Sequence, residues 1–245
     1  MPKDLFSKQA EGYAKFRPVY PSSLYDFIYA HCQAFDVAWD CATGNGQVAS
    51  ILKNQFKKVK ATDISQSQLA HAVNAPNIIY SISTAEETPF SDHSFDLITV
   101  GQAIHWFEFE AFYKEVKRVL KPSGILVFWG YSFFETEAPL NELILDFRKR
   151  VALYWDERRK LVDQHYTSIK TPFYEISIPP IMIKKEISLK ILCEYLRTWS
   201  SVQHFKNLNG FDPVDDLENQ MNQKWDPDAT VSIEHPVFGK LCKLR

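Results

Sequence analysis

The sequence is poor in the features that mark export, membranes and metal sites. Nowhere do about 18 apolar residues run together, so no membrane-crossing helix is expected. The opening stretch, MPKDLFSKQAEGYAKFRP, has no continuous apolar segment of the kind a secretory signal needs. Cysteine is scarce: Cys32, Cys41, Cys193 and Cys242 lie far apart and form no CxxC pair and no Cys/His zinc spacing. No metal site is expected from that spacing, and reduced thiols in a cytoplasmic protein are. Charge of one sign is not in surplus either. Lys and Arg number 28 against 30 Asp and Glu, a formal net charge of -2, so nothing overall points to nucleic acid or an anionic membrane. There is no internal repeat, no low-complexity tract and no G-x-x-x-x-G-K-[ST] phosphate loop. Glycine is limited to eight residues in the chain.

What is there is apolar surface. The 245 residues are 45% hydrophobic and 14% aromatic, enough to bury one large core with or without a smaller appended part. Between residues 35 and 131 short apolar runs alternate with helical spacing. FDVAWDC (35–41), KVKATD (58–63), NIIYSIS (77–83), FDLITVG (95–101) and ILVFWGY (125–131) read as strands. Helical patterns run through Val48, Ile51, Leu52 and Phe56, from Ser65 to Val73, and along FEAFYKEVKRVL, where KPSG (121–124) stops the helix. This rhythm predicts an α/β protein with a parallel sheet covered on both faces, because its strands are apolar at nearly every position. Ligands of such sheets bind beyond the carboxyl ends of the strands, where strand order reverses.

After residue 132 the rhythm changes. Residues 137–170 read as helical, 173–189 as extended and interrupted by Pro179 and Pro180, and about 188–200 and 213–224 as helical again. Residues 228–245 read as a terminal strand or hairpin. The late helices are expected to cap the same sheet. The chain is accordingly read as one domain: a core over about 30–132, a cap and lid from 1–29 and 133–225, and a terminal strand over 226–245.

Two of the eight glycines, Gly44 and Gly46, stand between the first strand and the helical pattern after it. Backbone N–H groups converge at such a turn, and glycine lets a ligand touch the main chain. GNGQVA (44–49) also satisfies G-x-G-x-x-G/A, with Asp63 at about the right distance for ribose, so a nicotinamide-dependent oxidoreductase is one reading. A turn that needs glycine without any ligand is another. Asp40 opposes the dinucleotide. It stands four residues before Gly44, where it would repel a pyrophosphate and suit a cationic amino-acid group.

Asp40, Ala42, Gly44 and Gly46 resemble the first motif of the class I S-adenosylmethionine-dependent methyltransferases, an acid followed by alternating glycines, with alanine in the first glycine's place. STAEETPFSDHSFDLITV (83–100) resembles the family's adenine segment followed by its fourth strand, and the likeness spans residues 6 to about 132. The resemblance implies a doubly wound, Rossmann-like sheet of seven mostly parallel strands with a terminal antiparallel strand, and S-adenosylmethionine as cofactor. It implies that Asp40 serves the aminocarboxypropyl part directly or through water, Asp63 the ribose, Ile64 and Ala85 the adenine, and Thr84 the adenine amino group through its hydroxyl. Alanine at 42 should be tolerated if its φ is negative, though its methyl then stands near the cofactor's path. Gln102 would lie at the methionine end.

GYAKFRPVYP (12–21) and the His105–Trp106 pair resemble a small-molecule subgroup of that family, which includes the trans-aconitate methyltransferases. This places Tyr13 and Arg17 at the carboxylate end of the cofactor. His105 either orients the acceptor, takes its proton or caps the next helix. Trp106, Arg158, Arg159, Arg197 and Trp199 are candidates to face the acceptor, and two converging arginines would select an anion. The expected activity is methyl transfer to a small molecule, at oxygen of a carboxylate or hydroxyl. A catalytically silent cofactor-binding protein is the remaining alternative. Nucleic acid is a poor acceptor, since GQAIHW stands where many DNA amine methyltransferases carry Asn/Asp-Pro-Pro-aromatic.

Overall fold

The computed structural model describes residues 18–245. Its strands are β1 (Val37–Cys41), β2 (Lys58–Asp63), β3 (Ile78–Ile82), β4 (Phe95–Gly101), β5 (Leu120–Tyr131), β6 (Tyr174–Ser177), β7 (Ile181–Ser188) and β8 (Thr230–Lys243). The helices are α1 (Ser22–Tyr29), α2 (Ala49–Leu52), α3 (Gln66–Ala70), α4 (Phe109–Val119), α5 (Leu140–Val151), α6 (Arg159–Asp163), α7 (Leu189–Arg197), α8 (Ser200–Asn209) and α9 (Pro213–Asn222). The first five strands are parallel in the order β3-β2-β1-β4-β5. The chain moves outward from β1 to β3, then returns past β1 to β4. The crevice of this sheet therefore opens above the carboxyl ends of β1 and β4.

Burial on both faces explains the apolar runs. Side chains alternate along a strand. In β1, Ala38 packs toward α1 and α2, while Trp39 packs with β4 and β5 residues against α4. In β4, Leu97 joins the first layer while Ile98 and Val100 join the second. In α4, Phe112, Val116 and Val119 form the apolar stripe and are wholly buried. Glu115 on the same helix accepts from the Thr88 backbone N–H at 2.9 Å and from its hydroxyl at 2.5 Å, and Arg118 donates to Glu115, Thr88 and Phe90. This clasp fixes the segment that leaves β3 for the site.

The last three strands are antiparallel, and the sheet has eight strands where the resemblance implied seven. β8 pairs with β5 from Ile125–Lys243 to Tyr131–Val237. On its other edge the same strand takes β6 at one end and β7 at the other. Pro179 and Pro180 lie between the two. Without N–H groups they end the ladder and divide one extended run into two short strands. Residues 228–245 thus form one long strand rather than a hairpin. α5, α7, α8 and α9 bury a third apolar cluster against Ile187 and Ile233 of β7 and β8, which is the cap. Ser188 and Asp212 cap α7 and α9, and Gly210 ends α8 at φ +80°.

Candidate active site

A cleft of about 870 Å³ opens above the crevice, within the range of small-molecule sites. Ala42, Gly44, Asp63, Ile64, Thr84 and Ala85 line one end. Gln102 lies between, and His105, Trp106, Phe133, Trp155, Arg158, Arg159 and Trp199 line the other. A second void beside His235, of about 10 Å³, has room for one water.

At the first end the loop after β1 is held from below. Asp40 is 1% exposed and does not line the cleft. Its Oδ2 accepts from the Thr43 hydroxyl and from the Ala49 N–H at 3.0 Å, and its Oδ1 from the Thr99 hydroxyl at 3.0 Å. Direct ligand contact by Asp40, one of the two roles foreseen for it, is thereby corrected: the carboxylate organises the turn and the start of α2. Burial pushes its pKa up to about 6 against the pull of these hydrogen bonds.

Ala42 has φ +55°, so the condition under which alanine would be tolerated without strain is not met. An L-residue in this left-handed region is strained by its Cβ, and the family's usual glycine is unstrained there. Gly44, at φ +58°, borders the cleft, and a Cβ added to it would meet only Gln68 Oε1 at 3.8 Å, so its main chain is bare to a ligand. Gly46, at φ +80°, is outside the cleft lining, and a Cβ there would collide with the Tyr80 hydroxyl. Glycine at 46 thus answers to packing, and glycine at 44 to the cleft.

Asp63 ends β2 at the cleft wall. Its Oδ2 accepts from the Gly44 N–H at 2.8 Å and its Oδ1 from the Ser65 N–H at 2.9 Å. A carboxylate offers about four lone-pair sites, the kind of capacity that paired ribose hydroxyls draw on. Ile64 is 41% exposed and Ala85 is buried, and both border the space. The Thr84 hydroxyl donates to Glu87 O at 3.4 Å, inside its own turn. Gln102 also has positive φ, +55°. Its side-chain amide accepts from Tyr131 N–H at 2.8 Å and donates to Tyr131 O at 3.4 Å, prolonging the β4–β5 pairing by one residue.

At the second end His105 is buried, with Nδ1 at 2.9 Å from the Tyr166 hydroxyl. Burial, with Arg159 and Arg158 adding to it, pushes its pKa down to about 3, so the ring is neutral at physiological pH. Trp106 and Trp199 both border the cleft, and Trp199 packs on Phe133 and Trp155 at 5.1 and 5.8 Å between centroids. Arg158 donates to Trp106 O at 2.6 Å and is half exposed. The Arg159 guanidinium lies over Phe133 and Trp155, at 4.2 and 4.5 Å from the ring centroids. Arg197 is elsewhere, among Glu194, Asp212, Asp215 and Glu218, with 2.6 Å to Glu218. Its expected place at the acceptor is therefore corrected. It ties α7 to α9.

Tyr13 and Arg17 lie outside the described residues. Sequence reasoning missed Phe133, Trp155 and Tyr195 as members of the cleft lining, and Tyr166 behind it as the partner of His105. Only the aromatic density of 153–166 and 195–205 hinted at Trp155 and Tyr195. The donor set at the first end suits a nucleoside with a charged tail: a bare main chain at Gly44, a carboxylate at Asp63 and an apolar slot at Ile64 and Ala85.

Residues 39–128 match the methyltransferase domain family. A candidate methyltransferase of Dictyostelium discoideum is 30% identical to this chain, over 98% of it and 95% of the relative. A protein of Saccharomyces cerevisiae assigned as an S-adenosylmethionine-dependent methyltransferase is 23% identical over 100% of both chains. The solved structure of a candidate type II methyltransferase from Anaeromyxobacter dehalogenans is similar at a TM-score of 0.86 and 26% identity, covering 93% of this chain and 98% of that one. These likenesses overturn the oxidoreductase reading of GNGQVA.

Proposed function

Because the chain belongs to the S-adenosylmethionine-dependent methyltransferases, we propose that it methylates an oxygen of a small organic anion, a carboxylate in first place. The observation that carries this reading is the composition of the cleft's second end, where Arg158 and Arg159 stand beside Trp106, Phe133, Trp155 and Trp199. Aromatic faces hold an acceptor's body, and an arginine fork at its edge matches a carboxylate.

When bound, S-adenosylmethionine supplies a methyl on a sulfonium as the electrophile. The chain's own residues then have few tasks. Asp63 accepts from the ribose hydroxyls, Ile64 and Ala85 flank the adenine, and the bare turn at Gly44 admits the amino-acid tail. Gln102 shapes the wall between the two ends. A carboxylate acceptor is already ionised at neutral pH, so no base is needed. Orientation and exclusion of water remain, and the aromatic wall supplies both. The N-terminal Tyr-x-x-x-Arg-Pro segment and His105–Trp106 support a place near the trans-aconitate methyltransferase subgroup. We read the chain as one methyltransferase unit working in the cytoplasm, a reading its four unbridged cysteines support. Among the described residues no helix is long and apolar enough to cross a membrane.

The test is transfer of labelled methyl from S-adenosylmethionine into a panel of carboxylic acids, alcohols and amines. Base-labile label in the acids, as methyl esters, is the expected result. Label confined to amines, or to alcohols with the acids untouched, contradicts the carboxylate reading.

A further inference from the structure

We infer that Tyr166 holds His105 in the tautomer that carries its proton on Nε2, so that the site offers the acceptor a hydrogen-bond donor and not a base. What that donor serves rests on the transferase reading above. The tautomer itself does not.

The argument is one of proton accounting in a sealed place. Tyr166 is 0% exposed, so water does not reach its hydroxyl. Among the described residues the hydroxyl has a single hydrogen-bond partner, His105 Nδ1 at 2.9 Å. A phenol has one proton to give, and an orphaned buried donor is expensive. If Nδ1 carried the hydrogen and donated to the phenol, the phenol proton would be left with nothing. If the phenol donates, Nδ1 is the acceptor, the sealed phenol proton has its partner, and the neutral ring's hydrogen sits on Nε2. A cationic ring, with hydrogen on both nitrogens, is disfavoured by burial and by Arg158 and Arg159 nearby.

Nε2 has no partner among the described residues, yet it is not one of the sealed, unpartnered atoms of the interior, and the ring borders the cleft. Its hydrogen is thus available to a ligand. The backbone is also strained to put the phenol where it is: His165 and Tyr166 have φ +52° and +57°, unusual for bulky residues. A donor at this place reads an oxygen with a lone pair to share, such as a carboxylate, and takes no proton from a hydroxyl. Tyr166 is then a positioning residue, acting through His105.

Nitrogen NMR of the full-length chain with labelled histidine tests this without cofactor or acceptor, and His105→Asn identifies the His105 signals among those of the seven histidines. The expected spectrum near neutral pH has a bare Nδ1 and a protonated Nε2. In Tyr166→Phe the Nδ1 hydrogen-bond signature is lost and the Nδ1–H form gains population. A wild-type ring protonated on Nδ1, or on both nitrogens, overturns the inference whether or not the variant folds. The transferase reading has its own readout in methyl transfer, so either can fail while the other stands.

Discussion

At the nucleoside end of the cleft, main chain and a few short side chains from contiguous segments define the space: a turn propped by Asp40, a bare Gly44, and Asp63 bonded to that turn. At the acceptor end, long side chains from four distant segments meet, with Trp106, Phe133, Arg158 and Trp199 as examples. The first end is specified by the carboxyl ends of β1, β2 and β3, with Thr99 of β4 bracing Asp40 from below. The second is specified by how the cap settles on the sheet. One end therefore suits a constant ligand, and the other can change its ligand by exchanging side chains without disturbing the fold.

If that division is right, damage at the two ends should separate cleanly. The largest effect is expected beneath the turn. Asp40→Ala orphans the Thr43 hydroxyl and the Ala49 N–H, leaves the Thr99 hydroxyl only its long bond to Trp39 O at 3.4 Å, and should lower stability by about 3 kcal/mol in urea unfolding. It should also weaken S-adenosylhomocysteine by tenfold or more. A variant with unchanged binding would break the comparison at its first term.

Next in size is the response to acid. Burial pushes His105 and His235 down to about 3 and about 4, while histidine in the unfolded chain titrates at its ordinary 6.5. Below that value the unfolded chain takes up protons that the folded chain refuses, so stability falls as pH drops. Asp40 works against this, because its raised value of about 6 lets the folded state bind a proton that the unfolded state releases above 3.8. The net expectation is a loss of about 2 kcal/mol between about pH 7 and pH 5, read from urea midpoints. A flat profile would contradict the burial of these rings.

The two arginines sharpen the contrast. Arg197→Ala should lower stability by about 1–2 kcal/mol through the α7–α9 tie and leave acceptor preference alone. Arg158→Ala should leave stability within about 0.5 kcal/mol, yet lower kcat/KM for carboxylates relative to neutral acceptors by about tenfold. Swapped outcomes would mean that the cap sits otherwise on the sheet. The smallest effect belongs to Ala42→Gly, which relieves a left-handed alanine and should add about 0.5–1 kcal/mol to stability. A destabilised variant would show that φ at 42 is not positive.

The same division governs what could be read beforehand. KVKATD and FDLITVG coincide with β2 and β4 residue for residue: FDLITVG is buried along all but its last residue, as in a doubly covered strand, while KVKATD alternates Lys58 and Lys60 with buried Val59 and Ala61. Asp63 and Gly44 stood out because turn chemistry is local. Ala42 did not: the sign of its φ follows from the path of the whole turn. Arg158 and Arg197 look alike in the sequence. Only Glu194, three residues before Arg197, is near it in the sequence, while Asp212 and Asp215 come from beyond α8. Tyr166 was silent, since its partner lies 61 residues earlier in the chain. The helical stretch read at about 188–200 is α7, whereas α8, Ser200–Asn209, was not read as a helix at all.

The central claim is that the turn at Gly44 and the carboxylate of Asp63 hold a sulfonium nucleoside. Titration calorimetry of the full chain with S-adenosylhomocysteine and, separately, with NAD tests it most directly. Saturable binding of S-adenosylhomocysteine that Asp63→Ala weakens at least tenfold, with no heat from NAD, is the predicted result. Binding of NAD with none of S-adenosylhomocysteine would contradict the account.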